Sequence, residues 1–294
     1  MPEIVNTEQA TAWNGPEGTH WARNQDRWNA VNGGFDEPLL TAAAVTGDRR
    51  TLDLGCGAGH TTRLAARRAP GGHALGVDLS GPMLAEARAR AAAGGPANVS
   101  FLRADAQVHA FGAAAFDAAV SRYGVMFYGD PEAAFGNVGR ALRPGGRLAF
   151  VCPAAPGDNG WVTAMASLDG ILPVGGFASP GDGPGMFSLA DPDRVRALLT
   201  AAGYTGIAVD EVTAYGTWGR DAADAADFLL ATGPGRHLMG QAEGTARARA
   251  REALTDHLAG HAGPDGTVRL LSTSWLVTAD RPARRRTRHP AVAF

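Results

Sequence analysis

Apolar positions along the chain gather in five short runs, each followed by a stretch whose apolar residues recur every three or four positions. Arg50 to Leu54, His73 to Asp78, Val99 to Arg103, Phe116 to Ser121 and Arg147 to Cys152 read as strands. Between them, His60 to Ala69 reads as a helix that Pro70 and Gly71 terminate. Ser80 caps a second helix that has Pro82 in its first turn and runs to about Ala93. Asp130 and Pro131 open a third, with Phe135, Val138 and Leu142 on one face and Pro144-Gly145-Gly146 as its stop. Asp191 and Pro192 open a fourth, with Val195, Leu198, Leu199 and Ala202 as its stripe and Gly203 at its end. Ile207 to Val212 and Val268 to Ala279 predict two further strands, separated by a long helical stretch from Asp221 to Ala262.

Strand, helix and strand in repetition predict an open, doubly wound α/β domain, because parallel neighbours need crossovers of helix length. Three segments find no place in its sheet: residues 1–45, Pro153 to Phe187, and Thr213 to Thr267. They are expected to cover the carboxyl ends of the strands, where such sheets bind ligands. The expected organisation is a helical lid at 1–45, the core at 46–153, a substrate-side insertion at 154–187, the core resumed at 188–212, a helical cap at 213–266, the last core strand at 267–280 and a basic tail at 281–294.

Composition narrows the chemistry. The 294 residues carry a net charge of −2, which provides no electrostatic footprint for nucleic acid. No apolar run reaches membrane-spanning length, and the first residues are acidic and polar where a leader would be basic and then apolar, so a soluble, cytoplasmic protein is expected. The two cysteines, Cys56 and Cys152, are expected as reduced thiols. All 27 basic residues are arginine. The absence of lysine excludes a pyridoxal Schiff base and a Walker A site.

The stretch Thr51 to Gly59, TLDLGCGAG, runs a strand into an aspartate and three alternating glycines, Gly55, Gly57 and Gly59. Backbone without Cβ atoms allows close approach to a ligand. A dinucleotide turn would read GxGxxG, but here Thr62 stands where the last glycine would be. Asp78 closes the second strand about 20 residues on, at the position where a carboxylate accepts from ribose hydroxyls. Asp105 follows the third strand in RADAQ, and Ser121-Arg122-Tyr123-Gly124 ends the fourth. Each carboxylate also has a structural reading, as a turn anchor or a helix cap. Their placement on successive strand ends favours a ligand site.

These motifs, together with ALRPGGRLAFV, resemble the class I S-adenosylmethionine-dependent methyltransferases, in the ubiquinone and menaquinone C-methylase-like group. The resemblance covers roughly residues 45 to 155, and WNGPEG, YGVMFYGDP and FSLADPDRVRALL are similar to segments of actinobacterial small-molecule methyltransferases. It implies a Rossmann-like, seven-stranded, mostly parallel sheet with an antiparallel last strand. It also implies S-adenosylmethionine as cofactor and S-adenosylhomocysteine as product. Asp53 would meet the cofactor's ammonium, Asp78 its ribose, Asp105 and the Ala106 amide its adenine, and Leu79 and Met83 would pack on that base. Ser121 and Trp28 complete the expected cofactor set. Arg122, Tyr123, Phe127, Tyr128, Trp161 and Phe228 are the expected contacts of a small-molecule acceptor methylated on oxygen, nitrogen or carbon. His20, Tyr128 and His237 are base candidates by location alone. A cyclase or lyase that uses the same cofactor, and an NAD(P)-dependent oxidoreductase, are the alternatives. No metal is expected: His257 and His261 are spaced i, i+4 without a third ligand motif. No nucleic acid or membrane partner is expected, and the chain is expected as a monomer or homodimer.

Overall fold

The computed structural model describes residues 3–179 and 183–283. The tail expected from Arg281 lies outside the described residues beyond Ala283. Four short helices open the chain: α1 (Thr7–Asn14), α2 (Pro16–Arg23), α3 (Gln25–Asn32) and α4 (Asp36–Ala42). The alternating core follows, as β1 (Arg50–Leu54), α5 (His60–Arg68), β2 (His73–Asp78), α6 (Gly81–Ala92), β3 (Val99–Arg103), β4 (Phe116–Arg122), α7 (Pro131–Ala141) and β5 (Leu142–Pro153). Then come α8 (Gly160–Ala166), α9 (Pro192–Ala201), β6 (Thr205–Gly219), α10 (Ala222–Ala231), α11 (Gly233–Gly240), α12 (Ala246–Ala259) and β7 (Val268–Asp280).

The seven strands form one sheet in the order β3-β2-β1-β4-β5-β7-β6, parallel except for β7, which runs antiparallel to both its neighbours. Helix starts follow local chemistry. The Ser80, Asp130 and Asp191 side chains accept from the backbone amides of Met83, Ala133 and Asp193, satisfying donors that the first turn leaves without partners. The order reverses between β1 and β4, which makes their carboxyl ends the switch point.

Three expectations about extent change. The fifth strand begins at Leu142, so Pro144-Gly145-Gly146 ends α7 inside an already extended run. The sixth strand runs through Gly219 instead of stopping at Val212, because Thr213 to Gly219 pair with Val268 to Thr273 of β7. The stretch expected as one long helix is three, α10 to α12. The overrun of β6 seats the lid: a Cβ on Gly216 would lie 2.4 Å from the Val31 carbonyl, so α3 rests directly on that strand.

Two apolar clusters line the sheet and a third belongs to the covering helices. Leu52, Phe135, Leu148, Phe150 and Leu199 pack on one face of the sheet, while Phe35, Leu39, Leu40, Ala65 and Ala66 cover the other. Trp28, Met165, Trp218, Phe228 and Leu254, from α3, α8, β6, α10 and α12, form the third. The covering helices are thus a packed layer with a core of their own.

Candidate functional site

Above the switch point, between the strand ends and the covering helices, lies a cavity of about 460 Å³. Its floor is backbone. Gly55 and Gly57 hold φ of +62° and +55°, a region that a side chain makes costly. A Cβ on Gly55 would lie 2.8 Å from Gly124 Cα, so the turns after β1 and β4 touch main chain to main chain. A Cβ on Gly57 would lie 2.6 Å from Met83 Cε. Neither position takes a side chain without displacing these neighbours, so this edge of the cavity stays a main-chain cradle.

Three carboxylates rim the cradle. Asp53 is 1% exposed and accepts from Thr62 Oγ1 at 2.6 Å; burial pushes its carboxyl up to about 7. Asp78 accepts from the Gly57 amide at 2.8 Å on one oxygen and from the Ser80 amide at 2.8 Å on the other. Burial raises its pKa, and these amides act against the rise. Each oxygen keeps a further acceptor site for a hydroxyl. Asp105 accepts from the amides of Val5 and Asn6 at 3.1 and 2.9 Å and from that of Gln107 at 3.0 Å. The N-terminal segment therefore shares the carboxylate that the sequence assigned to an adenine amine.

The same segment is tied across the opening. Asn14 Nδ2 donates to the Leu79 carbonyl and its Oδ1 accepts from Gly81, while the Ser80 hydroxyl donates to the Trp13 carbonyl at 2.6 Å. Leu79, Met83 and Ala106 join the wall beside the three aspartates. Trp28, expected as a cofactor contact, and Arg122, Tyr123, Phe127, Tyr128 and Trp161, expected as acceptor contacts, line the same cavity.

Five expected residues stand outside that wall. Gly59 precedes α5 against the ring of Phe101. Ser121 is fully buried and donates to the Leu54 carbonyl at 2.7 Å, which fixes the turn from behind. Phe228 packs among Trp28 and Trp218 beneath the Arg27 guanidinium. His20 stacks on Phe228 and its pKa is lowered by burial, while His237 lies on α11 with Gln241 Nε2 at 2.8 Å from its Nε2. Tyr128 does reach the cavity, but its hydroxyl is buried without a partner. Burial holds that phenol far above its ordinary range, which favours its protonated form. Cys56 is likewise buried and its thiol is pushed up, which suits a turn filler.

A polar knot beside the cradle was not legible in the sequence. Arg122 donates to Asp36 Oδ1 at 2.9 Å and to Asn29 Oδ1 at 3.0 Å, and His60 Nε2 lies 3.0 Å from Asp36 Oδ2. His60 and Arg122 both line the cavity. His60 follows the last glycine of the turn, and that adjacency was the available signal; Asn29 and Asp36 carry none. Among the described residues no group of three potential metal ligands occurs, and no helix is long and apolar enough to cross a membrane.

Comparison with known proteins agrees with this geometry. Residues 51–146 match the family model of a methyltransferase domain. A demethylmenaquinone methyltransferase from Thermus thermophilus is 34% identical over 165 residues, covering 53% of this chain and 74% of that protein. A nocamycin O-methyltransferase from Saccharothrix syringae is 36% identical over 53% of this chain, which spans only 59% of that relative. The solved structure of Haemonchus contortus phosphoethanolamine N-methyltransferase 2 in complex with S-adenosyl-L-methionine shares the fold, at 18% identity and a TM-score of 0.57, over 95% of this chain and 60% of that one. A sheet with the antiparallel strand next to last in space, a glycine cradle at its switch point and this similarity together place the chain in the class I S-adenosylmethionine-dependent methyltransferases.

Proposed function

We propose that the protein transfers a methyl group from S-adenosylmethionine to an oxygen, nitrogen or carbon of a small molecule of specialised metabolism. The carrying observation is the side-chain-free cradle at Gly55 and Gly57, rimmed by Asp53, Asp78 and Asp105 and continuous with the aromatic side of the same cavity. Held by the Gly55–Gly57 turn and the three carboxylates, the cofactor would supply a sulfonium methyl for in-line displacement by the acceptor's nucleophile, with a neutral thioether as the leaving group.

The chain's own residues orient and enclose. Asp53 would face the cofactor's ammonium, Asp78 keeps an acceptor site on each oxygen for ribose hydroxyls, and Met83 and Leu79 offer an apolar wall for its adenine. The strap from Val5 to Asn14 closes over Leu79 to Gly81 and limits water at the reacting centre. Alignment in such an enclosure lowers the barrier by about 7–11 kcal/mol in well-oriented reactions, and no protein base is required for an acidic nucleophile.

Calorimetry with S-adenosylmethionine, followed by mass spectrometry of reactions with a panel of acceptors, tests the reading. The expected result is binding, then S-adenosylhomocysteine and a product heavier by one methyl in equal amounts. Absence of any affinity for S-adenosylmethionine would overturn it.

A further inference from the structure

Five of the chain's six tryptophans, Trp13, Trp21, Trp28, Trp161 and Trp218, line the one cavity. They form a continuous chain of ring contacts. Phe127 meets Trp13 at 5.3 Å, Trp13 meets Trp21 at 5.9 Å, and Trp21 lies flat on Trp28 at 3.8 Å with an interplanar angle of 3°. Trp28 meets Trp218 edge-on at 6.2 Å, and Trp218 stacks on Trp161 at 6.4 Å. The wall thus runs from Phe127, near the cradle, to Trp161 on the far side. Rings braced against one another in this way present fixed faces and edges, where a chain of leucines would present an adaptable surface.

The charges along the cavity are already matched. Glu17 accepts from the Trp21 indole at 2.8 Å and pairs with Arg236. Arg122 and His60 share Asp36. The remaining carboxylates, Asp53, Asp78 and Asp105, belong to the cradle. Among the described residues this side of the cavity therefore offers π surface and no unmatched charge, which disfavours an anionic guest that would want a free arginine; a cation seated over the rings is the competing guest, and choline tests for it.

Resting on the proposed methyl transfer, we infer that the acceptor is an uncharged, planar, conjugated ring system laid against the tryptophan wall, with Trp161 closing the far end. Binding to protein saturated with S-adenosylhomocysteine tests this by calorimetry and tryptophan fluorescence, with three probes: 2-naphthol, its saturated counterpart decahydro-2-naphthol, and choline. The expected result is that 2-naphthol binds roughly 3- to 10-fold more tightly than either of the others, the scale of a well-placed aromatic contact. Trp161→Leu should reduce that preference while the affinity for S-adenosylhomocysteine stays unchanged. Equal or tighter binding of decahydro-2-naphthol or choline by the wild-type chain overturns the inference, and so does rejection of all three by cofactor-loaded protein. Failure to bind S-adenosylhomocysteine at all would instead defeat the methyl-transfer reading, so the two failures are distinguishable.

Discussion

The two sides of the cavity are built by opposite means. On the cradle side, between the ends of β1, β2 and β4, the shape comes from backbone: Gly55 touches Gly124, Gly57 donates its amide to Asp78, and Asp78 in turn accepts from Ser80. Side chains enter only as carboxylates at the rim. On the acceptor side, shape comes from side-chain volume, with tryptophans from α1, α2, α3, α8 and β6 braced against each other and their neighbouring charges paired off. A surface made of main chain keeps its geometry only while nothing is added to it. A surface made of side chains changes its shape with every substitution, which suits the part of the site that selects an acceptor.

The sharpest break of this contrast is a Cβ in the cradle. Gly57→Val places a β-branched residue at a φ of +55°, with its Cβ against Met83 Cε, and such strain costs about 1–3 kcal/mol before any cofactor is considered. Occupying the floor as well, it should lower the affinity for S-adenosylmethionine roughly 100-fold or more by calorimetry, while far-ultraviolet circular dichroism stays close to wild type. Normal affinity in this variant would remove the cradle from the site.

A rim carboxylate comes next. Asp78→Ala removes the acceptor for two backbone amides and for the expected ribose hydroxyls. Hydrogen bonds to a charged group are worth about 1.5–3 kcal/mol, so the affinity should fall roughly 10- to 100-fold. An unchanged titration would leave Asp78 as a brace for the glycine turn alone.

How legible each side was in the sequence follows from how it is built. The cradle is local: Asp53, Gly55 and Gly57 lie within one turn of the end of β1, and Asp78 and Asp105 follow their own strands, so spacing along the chain reports spacing in space. The helix starts at Ser80, Asp130 and Asp191 were legible for the same reason. The knot of Asn29, Asp36, His60 and Arg122 was not, because four segments meet there and no short pattern holds them together. Nor was the overrun of β6 legible: Thr213 to Gly219 contain two glycines and read as lid until the pairing with β7 and the close seat of α3 on Gly216 are known. Nor does position along the chain report that the Tyr128 hydroxyl is buried without a partner.

The buried Asp53 turns the contrast into a pH dependence. Its folded pKa, about 7, lies above the ordinary carboxylate value, so the protonated form is the one the fold favours. Its contribution to stability is complete below about pH 4 and is lost as pH rises through 7. Binding an ammonium has the opposite sign, because it needs the anion. The affinity for S-adenosylmethionine should therefore rise roughly tenfold between pH 5.5 and 7, with a proton released on binding, and Asp53→Asn should flatten the profile. A wild-type profile that is already flat would separate Asp53 from the ammonium.

The smallest expected effect tests whether the acceptor side can be loosened without disturbing the cradle. Arg27 joins α3 to the far end of β6 and to α10, donating to both Asp224 oxygens at 3.0 and 3.1 Å and to the Trp218 carbonyl at 2.8 Å, with its guanidinium 4.0 Å above the Phe228 ring. The side chain is about one-third exposed, and solvent screens the pair. Arg27→Ala should therefore cost about 1 kcal/mol, a drop in melting temperature of about 2–4 °C in a chain of this size. Because Arg27 holds Trp218 and Phe228 but no part of the glycine turn, the affinity for S-adenosylmethionine should stay within about twofold of wild type, whereas acceptor binding weakens as the tryptophan wall relaxes. A loss of cofactor affinity comparable to that of Asp78→Ala would mean that the two sides share one stability, with the packed lid setting the geometry of the cradle beneath it.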